Sequence, residues 1–229
     1  MSFHSARSFR SVAIVLFAVA LATPAWSQTP AGSKQGGFVG VAGLPKFTFG
    51  GETFDGVGAY QLEGTEEIII LPKLDEQPLV RAILGYRARR ASLEVSYDRT
   101  RHDGIFENTT AEATIQAINV DGRLFFLSST RVQPHVLVGG SFPWVRIKNG
   151  SILDPVTGEL GDARYRGYGL NTEVGVTVFP HPRFGIGGGY SYRLMWFDRA
   201  TGVSDTFGEL RPRFREEVRG VVVTLMLVL

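Results

Sequence analysis

Six charged residues stand at alternate positions inside otherwise apolar stretches: Arg81, Glu94, Asp121, Arg123, Glu173 and Arg193. Three carboxylates and three guanidiniums gathered away from water have two uses. They can line an ion path or gate, or they can pair off as a plug, because isolated charges in a narrow low-dielectric space are costly. The equal numbers favour the plug. His135 alternates in the same register and is a candidate general base. A nucleophile on its own strand face would sit two residues away, but Gln133 and Leu137 hold those places, and Ser141 is the nearest hydroxyl beyond them. His181, between Pro180 and Pro182, fits a tight turn. Gly185-Ile186-Gly187-Gly188-Gly189 has the glycine density of a phosphate loop, but such loops lead into a helix N-terminus. Here Tyr190-Ser191-Tyr192 continues an extended pattern, and glycine suits close packing of neighbouring backbones. Asp154-Pro155-Val156-Thr157-Gly158-Glu159 offers oxygen ligands without the full spacing of a calcium loop and reads as a turn. No catalytic, metal or cofactor motif is complete.

The elements that must position these residues are strands. Val, Tyr, Phe, Ile, Thr and Gly recur in eight segments, Gly36–Thr48, Pro78–Ala88, Ser92–Arg101, Ala113–Phe126, Val132–Ile147, Tyr165–Phe179, Phe184–Phe197 and Glu217–Leu229. Leu93, Val95 and Tyr97 alternate with Ser92, Glu94, Ser96 and Asp98. Val80, Ala82, Leu84 and Tyr86 alternate with Arg81, Gly85 and Arg87, and Leu170, Val174, Val176 and Val178 with Asn171, Glu173, Gly175 and Thr177. The connections around Arg89-Arg90-Ala91, Leu127 to Arg131 and Pro180 to Arg183 are short. Those over Phe49–Gln77, His102–Glu112, Lys148–Arg164 and Asp198–Glu216 are long and polar. Strict alternation of short and long puts all tight turns at one end of the sheet.

The N-terminus carries an export leader: Arg7 and Arg10, the unbroken apolar run Val12–Ala22, then Ala25-Trp26-Ser27 as a cleavage site before Gln28. Eleven apolar residues rise only about 16 Å as a helix, too short for a hydrocarbon core of about 30 Å. The expected division is a cleaved signal over residues 1–27, a short segment 28–35 and a β-domain 36–229. The leader holds two of the 24 Lys+Arg and none of the 22 Asp+Glu, so the remaining chain is formally neutral and lacks the basic balance of a nucleic-acid binder. With no cysteine, an exported domain must be held by packing or backbone pairing alone.

These features predict an all-β fold, an eight-stranded antiparallel up-and-down transmembrane barrel. Its polar face, with the six charges and many glycines, fits a narrow interior, and its large β-branched and aromatic face fits lipid. Phe142, Trp144, Tyr190, Tyr192, Trp196 and Phe197 are expected in an outer aromatic girdle, and Phe125, Phe126, Phe179 and Phe184 in one near the short turns. Closure requires Val218–Leu229 to pair with Phe38–Leu44, because unpaired backbone groups in hydrocarbon cost several kcal/mol each. Export places the short turns in the periplasm and the long loops outside. A rim of Arg99, Arg101, His102, Lys148, Arg199, Arg211, Arg213 and Arg215 can then meet the phosphates of surface lipopolysaccharide.

Pro134-His135-Val136-Leu137-Val138-Gly139-Gly140 resembles the fifth strand of small OmpA/OmpX-type outer-membrane barrels. Gly187-Gly188-Gly189-Tyr190-Ser191-Tyr192-Arg193 is similar to their seventh strand, and Leu93-Glu94-Val95-Ser96-Tyr97 to their third. The resemblance covers Gly36 to the end and implies assembly by the outer-membrane insertion machinery, with no peptidoglycan-binding domain after the barrel. That family usually ends in an aromatic residue; Leu229 stands here, preceded at alternate positions by Leu227, Leu225, Val223 and Val221. In that register Glu217 and Arg219 face outward, at headgroup level, unless a bulge at Gly220 turns them in. The expected function is a monomeric, non-enzymatic barrel with an envelope-integrity or surface-interaction role. The alternatives are a lipid-modifying enzyme, a narrow ion channel and a soluble lipocalin-like binder.

Overall fold

The computed structural model describes residues 35–49, 58–61, 68–71, 73–106, 109–153, 160–202, 209–210 and 214–229. The leader and the Asp154–Glu159 stretch lie outside them. Eight long strands run in chain order: β1 Gly36–Phe49, β2 Gln77–Arg87, β3 Ala91–Phe106, β4 Thr109–Phe125, β5 Val132–Leu153, β6 Leu160–His181, β7 Phe184–Gly202 and β8 Phe214–Val228. Each pairs antiparallel with the next, and β8 returns to β1 with Phe38 opposite Val228 and Gly43 opposite Val223. The sheet is closed as the sequence predicts, which removes both edges.

Alternation sets the two faces. Leu93 is 62% exposed and Val174 53%, whereas Glu94 and Glu173 are 2% and 3% exposed. Apolar side chains therefore point away from the barrel axis and charges toward it, the reverse of a soluble barrel. On β6 the outward apolar band runs from Tyr168 to Val178, ten rises or about 33 Å along the strand, about 25 Å along the axis at the usual tilt. That matches the thickness such a band needs to face hydrocarbon.

The structure differs from the sequence reading beyond this band. The connections expected as long loops at His102–Glu112, Lys148–Arg164 and Asp198–Glu216 are mostly strand. There the polarity of the two faces inverts. Outward positions become Arg99, Arg101, Gln116, Arg146, Lys148, Arg164 and Arg166. Inward positions become Ala113, Ile115, Val145, Ile147, Ala163, Tyr165, Met195 and Phe197, which form one apolar cluster with Leu44, Leu79 and Val218. Leu74, on the short strand Lys73–Leu74 hydrogen-bonded to the end of β3, joins that cluster. Polar-out, apolar-in strands look like polar loops by average hydropathy, although their period of two is unbroken. The outer third of the barrel is thus built for water on its outside. Further strand pairing extends it, with Gly58–Gln61 against Ile68–Leu71 and Ile69 opposite Ile152 of β5.

Of the register irregularities in the described strands, two bear on the outer barrel. Between Gly43 and Thr48, β1 carries one more residue than β8 does between Val223 and Arg219, with Pro45 inside the irregular stretch where a missing N–H is tolerated. The second is at Asp198 of β7, where Phe197 faces Gly167 but Arg199 faces Arg166. No bulge occurs at Gly220: β7 and β8 stay in register from Phe184–Leu227 to Phe197–Phe214. Arg219 is accordingly exposed on the outer face, toward the long-connection end. A Cβ on Gly167 would run into the backbone carbonyl of Trp196. Gly167→Ala is expected to force the bulged strand outward and lower the unfolding free energy by about 1–3 kcal/mol, read from a urea titration of the refolded barrel in vesicles.

Candidate functional site: the lumen and the outer basic belt

The lumen polar residues come from strand faces that converge on the axis. All six predicted members, Arg81, Glu94, Asp121, Arg123, Glu173 and Arg193, are buried. Arg81 grips Asp98 with two bonds, Nε to Oδ1 at 2.8 Å and Nη2 to Oδ2 at 3.2 Å, while Arg193 Nη2 donates to the same Oδ2 at 2.6 Å. Asp98 is therefore the hinge of an Arg–Asp–Arg triad spanning β2, β3 and β7. Toward the short-turn end, Arg123 Nη2 donates to Glu94 Oε2 at 3.1 Å, and Nε lies 2.9 Å from Oε1. Ser92 also donates to Glu94, at 2.6 Å. Glu94 and Asp121 are directly opposite across β3 and β4. That like-charge pair is relieved by Arg123 on one side and on the other by Asn171 Nδ2, which donates to Asp121 at 2.9 Å.

Asp98 and Arg87 were not among the six residues singled out, although the same alternation turns both inward. Arg87 closes the short-turn mouth. Its guanidinium lies 3.6 Å from the ring centre of Phe125 and 4.8 Å from that of Phe179, and it donates to Gln133 Oε1. Gln133 is itself anchored to the turn carbonyls of Ser128 and Thr130. Phe125, Phe179 and Phe197 thus point into the lumen rather than into aromatic girdles. Each is next in sequence to an outward neighbour, and two successive strand residues cannot share a face. In the lower lumen of the described residues, four arginines (Arg81, Arg87, Arg123, Arg193) face four carboxylates (Glu94, Asp98, Asp121, Glu173), and a fifth buried carboxylate, Glu216, stands farther out opposite Met195. The charges of the lower lumen balance.

His135 lies within this network. Its Nε2 is 3.0 Å from Glu173 Oε1 and 3.1 Å from Arg123 Nη1, so one tautomer donates to the carboxylate and the other accepts from the guanidinium. The hydroxyl at Nδ1 belongs to Thr177 on the neighbouring strand, at 3.3 Å. Ser141, six residues along β5, is about 20 Å away at the strand rise. A Thr–His–Glu cluster exists, therefore, but it is sealed: His135 and Thr177 are both 2% exposed.

On the outside, rings and then cations follow in order along the strands. Tyr97 and Trp144 approach with ring centres 6.2 Å apart, and Tyr168 stacks on Trp196 at 5.6 Å. Trp144 Nε1 donates to Gln116. Exposed Phe142 completes the girdle, whereas Tyr192 and Tyr190, expected there, stand lower on the same outer face, opposite Thr172 and Val174 within the apolar band. Tyr86, Phe126 and Phe184 are exposed at the short-turn end. Beyond the upper girdle, Arg99, Arg101, Lys148, Arg199 and Arg215 are exposed as predicted. Lys148 pairs with Glu112 at 3.4 Å, and Arg215 donates to Glu217. Arg211 and Arg213 lie outside the described residues. His102 does not join the rim, because it is buried and points inward, with Nδ1 2.6 Å from the Asp75 carbonyl oxygen. The belt also contains Arg146, Arg164, Arg166 and Arg219, all exposed and absent from the sequence-based rim.

An inward-charged, outward-apolar closed sheet with paired aromatic girdles is the geometry of a barrel in lipid. The profile of the outer membrane protein beta-barrel domain family matches residues 13–212. The chain belongs to this family. It is an outer-membrane β-barrel. The fold is shared with Neisserial surface protein A (TM-score 0.53, 12% identity, 84% of this chain and 97% of that one). OprG of Pseudomonas aeruginosa is also similar, with a TM-score of 0.45 at 13% identity over 86% of this chain and 99% of that one. No curated protein sequence matches the chain.

Proposed function

We propose that this outer-membrane barrel, exported through a leader cleaved after Ser27, works as a non-enzymatic, monomeric envelope protein. Its lumen is a plug, and its working surface is the outer third. The observation that carries this reading is charge balance in a sealed interior: every carboxylate at membrane level has a guanidinium or amide within reach, and Arg87 blocks the periplasmic mouth. An ion path would need unpaired charge and water. The burial of the Thr177–His135–Glu173 cluster favours a structural part in the plug over catalysis on lipid. Above the girdle, the exposed cations favour contact with the phosphates of lipopolysaccharide, the lipid of the outer leaflet. Assembly by the outer-membrane insertion machinery, acting on the C-terminal strand, is part of the same proposal, and membership of the family supports it.

Planar-bilayer recording of the refolded chain tests the plug. The expected trace has no stepwise conductance, and discrete openings of constant size would replace the plug with a pore. In fractionated cells the protein should appear in the outer membrane at the mass of the shortened chain, with gel mobility that changes on boiling.

A further inference from the structure

Four of the belt arginines occupy one small patch. Arg146 of β5 is directly opposite Arg164 of β6, and Arg166 of β6 is directly opposite Arg199 of β7. Directly opposed side chains have Cβ atoms about 4.5–5.5 Å apart, and Arg164 and Arg166, two residues apart on one face, are separated by about 7 Å. Four guanidinium stems therefore start from a patch about 10 Å by 7 Å, across which long arginine side chains can converge on one phosphate group.

Like charges directly opposite across a sheet destabilise it, and here two such pairs are stacked. Asp162 approaches Arg146 at 3.5 Å, and Asp198 lies beside Arg199 in sequence. Among the described residues, these two carboxylates stand against four guanidiniums. The second observation is the bulge at Asp198. In unbroken register Arg199 would point into the apolar lumen; the extra residue turns it out beside Arg166 and puts Ala200 inside, fully buried. Bulges serve to re-aim a side chain in this way, and the chain thereby completes an arginine pair that regular alternation would not form.

What lies beneath the patch selects the ligand. On the same three strands, one or two outward positions nearer the membrane, stand Phe142, Trp144, Tyr168, Leu170 and Trp196. Trp144 is directly opposite Arg166 and Trp196 opposite Tyr168. A free anion would use only the guanidiniums. A molecule with acyl chains below and a phosphate at headgroup height uses both. We infer that Arg146, Arg164, Arg166 and Arg199 form a discrete site for the phosphate of one phosphorylated glycolipid of the outer leaflet, its acyl chains lying against the aromatic girdle. The inference rests on the reading of the outer belt as a lipid-contacting surface and assigns it a single location.

The full chain, refolded in zwitterionic detergent micelles, is titrated with a bis-phosphorylated acylated disaccharide, with its dephosphorylated counterpart, and with inorganic phosphate. The wild type should prefer the phosphorylated lipid by at least about tenfold, or 1.4 kcal/mol. The quadruple variant Arg146→Gln, Arg164→Gln, Arg166→Gln, Arg199→Gln should lose that preference. A charge-matched control, Arg99→Gln, Arg101→Gln, Arg215→Gln, Arg219→Gln, should keep it. Mobility before and after boiling reports folding, and the two cross-strand double variants replace the quadruple one if it does not fold. Equal loss in both quadruple variants overturns the discrete site and leaves a diffuse belt standing. No preference in the wild type overturns the belt as well. Competition by inorganic phosphate at matched concentration overturns the lipid as the ligand.

Discussion

A chain ending at Glu217 is expected to give no heat-modifiable band after refolding in vesicles, at any lipid ratio. Strand β8 pairs with β7 from Leu227 to Phe214 and with β1 from Val228 to Val218. Removing residues 218–229 leaves the edges of β1 and β7 open within the apolar band. Each unpaired N–H or C=O in hydrocarbon costs several kcal/mol, so even a few exceed the whole stability of a domain of this size, about 5–15 kcal/mol. A soluble sheet could expose those groups to water, whereas lipid offers no partner. A folded monomer from the shortened chain would mean that the sheet need not close.

The second large effect is expected at Asp98. Its two oxygens accept from Arg81 and Arg193, and all three side chains are at most 5% exposed. Asp98→Asn keeps the shape but leaves two guanidiniums facing each other without their carboxylate. Breaking a buried ion pair from one side costs about 3–5 kcal/mol, and that loss should appear in the urea midpoint of the refolded barrel followed by tryptophan fluorescence. The double replacement Arg81→Met, Asp98→Leu removes one charge of each sign, leaves three arginines facing three carboxylates, and should recover part of the loss, because the penalty comes from unpaired charge and not from the missing bridge. A change below about 1 kcal/mol in the single variant would be that of a surface pair and would place water in the lumen.

These expectations come from register, and register explains what the sequence did and did not reveal. Period two alone placed Glu94, Glu173 and Arg193 inside and Leu93, Val95 and Val174 outside, and both assignments hold in the structure. The same period would have added Asp98, which follows Glu94 and Ser96 on one face, but its importance comes from Arg81 and Arg193 on other strands. Partners 17 and 95 residues away have no signature in a single chain. Proximity to turns groups Phe125 and Phe179 with Phe126 and Phe184, although their parity sends them inward to Arg87. The outer third reads as loop in the sequence because its face toward water is charged. Its inward Ile115, Val145, Ile147 and Tyr165 keep the strand period in phase while the sign of hydropathy changes. The arginine patch needed both the pairing of β5, β6 and β7 and a bulge, neither of which is legible before the strands are aligned.

The inversion of polarity along the barrel is the feature on which membrane placement, plug and belt all depend. Site-directed spin labelling measures it directly, and the absence of native cysteine makes every single-cysteine variant uniquely labelled. Labels at Val95, Val174 and Val223 should collide with oxygen dissolved in lipid and be shielded from a water-soluble nickel complex. Labels at Arg101 and Arg164 should show the opposite preference. Nickel access at Val95 and Val174, or oxygen access at Arg101 and Arg164 equal to that of the band, would contradict the placement of lipid around the lower barrel and water around the upper.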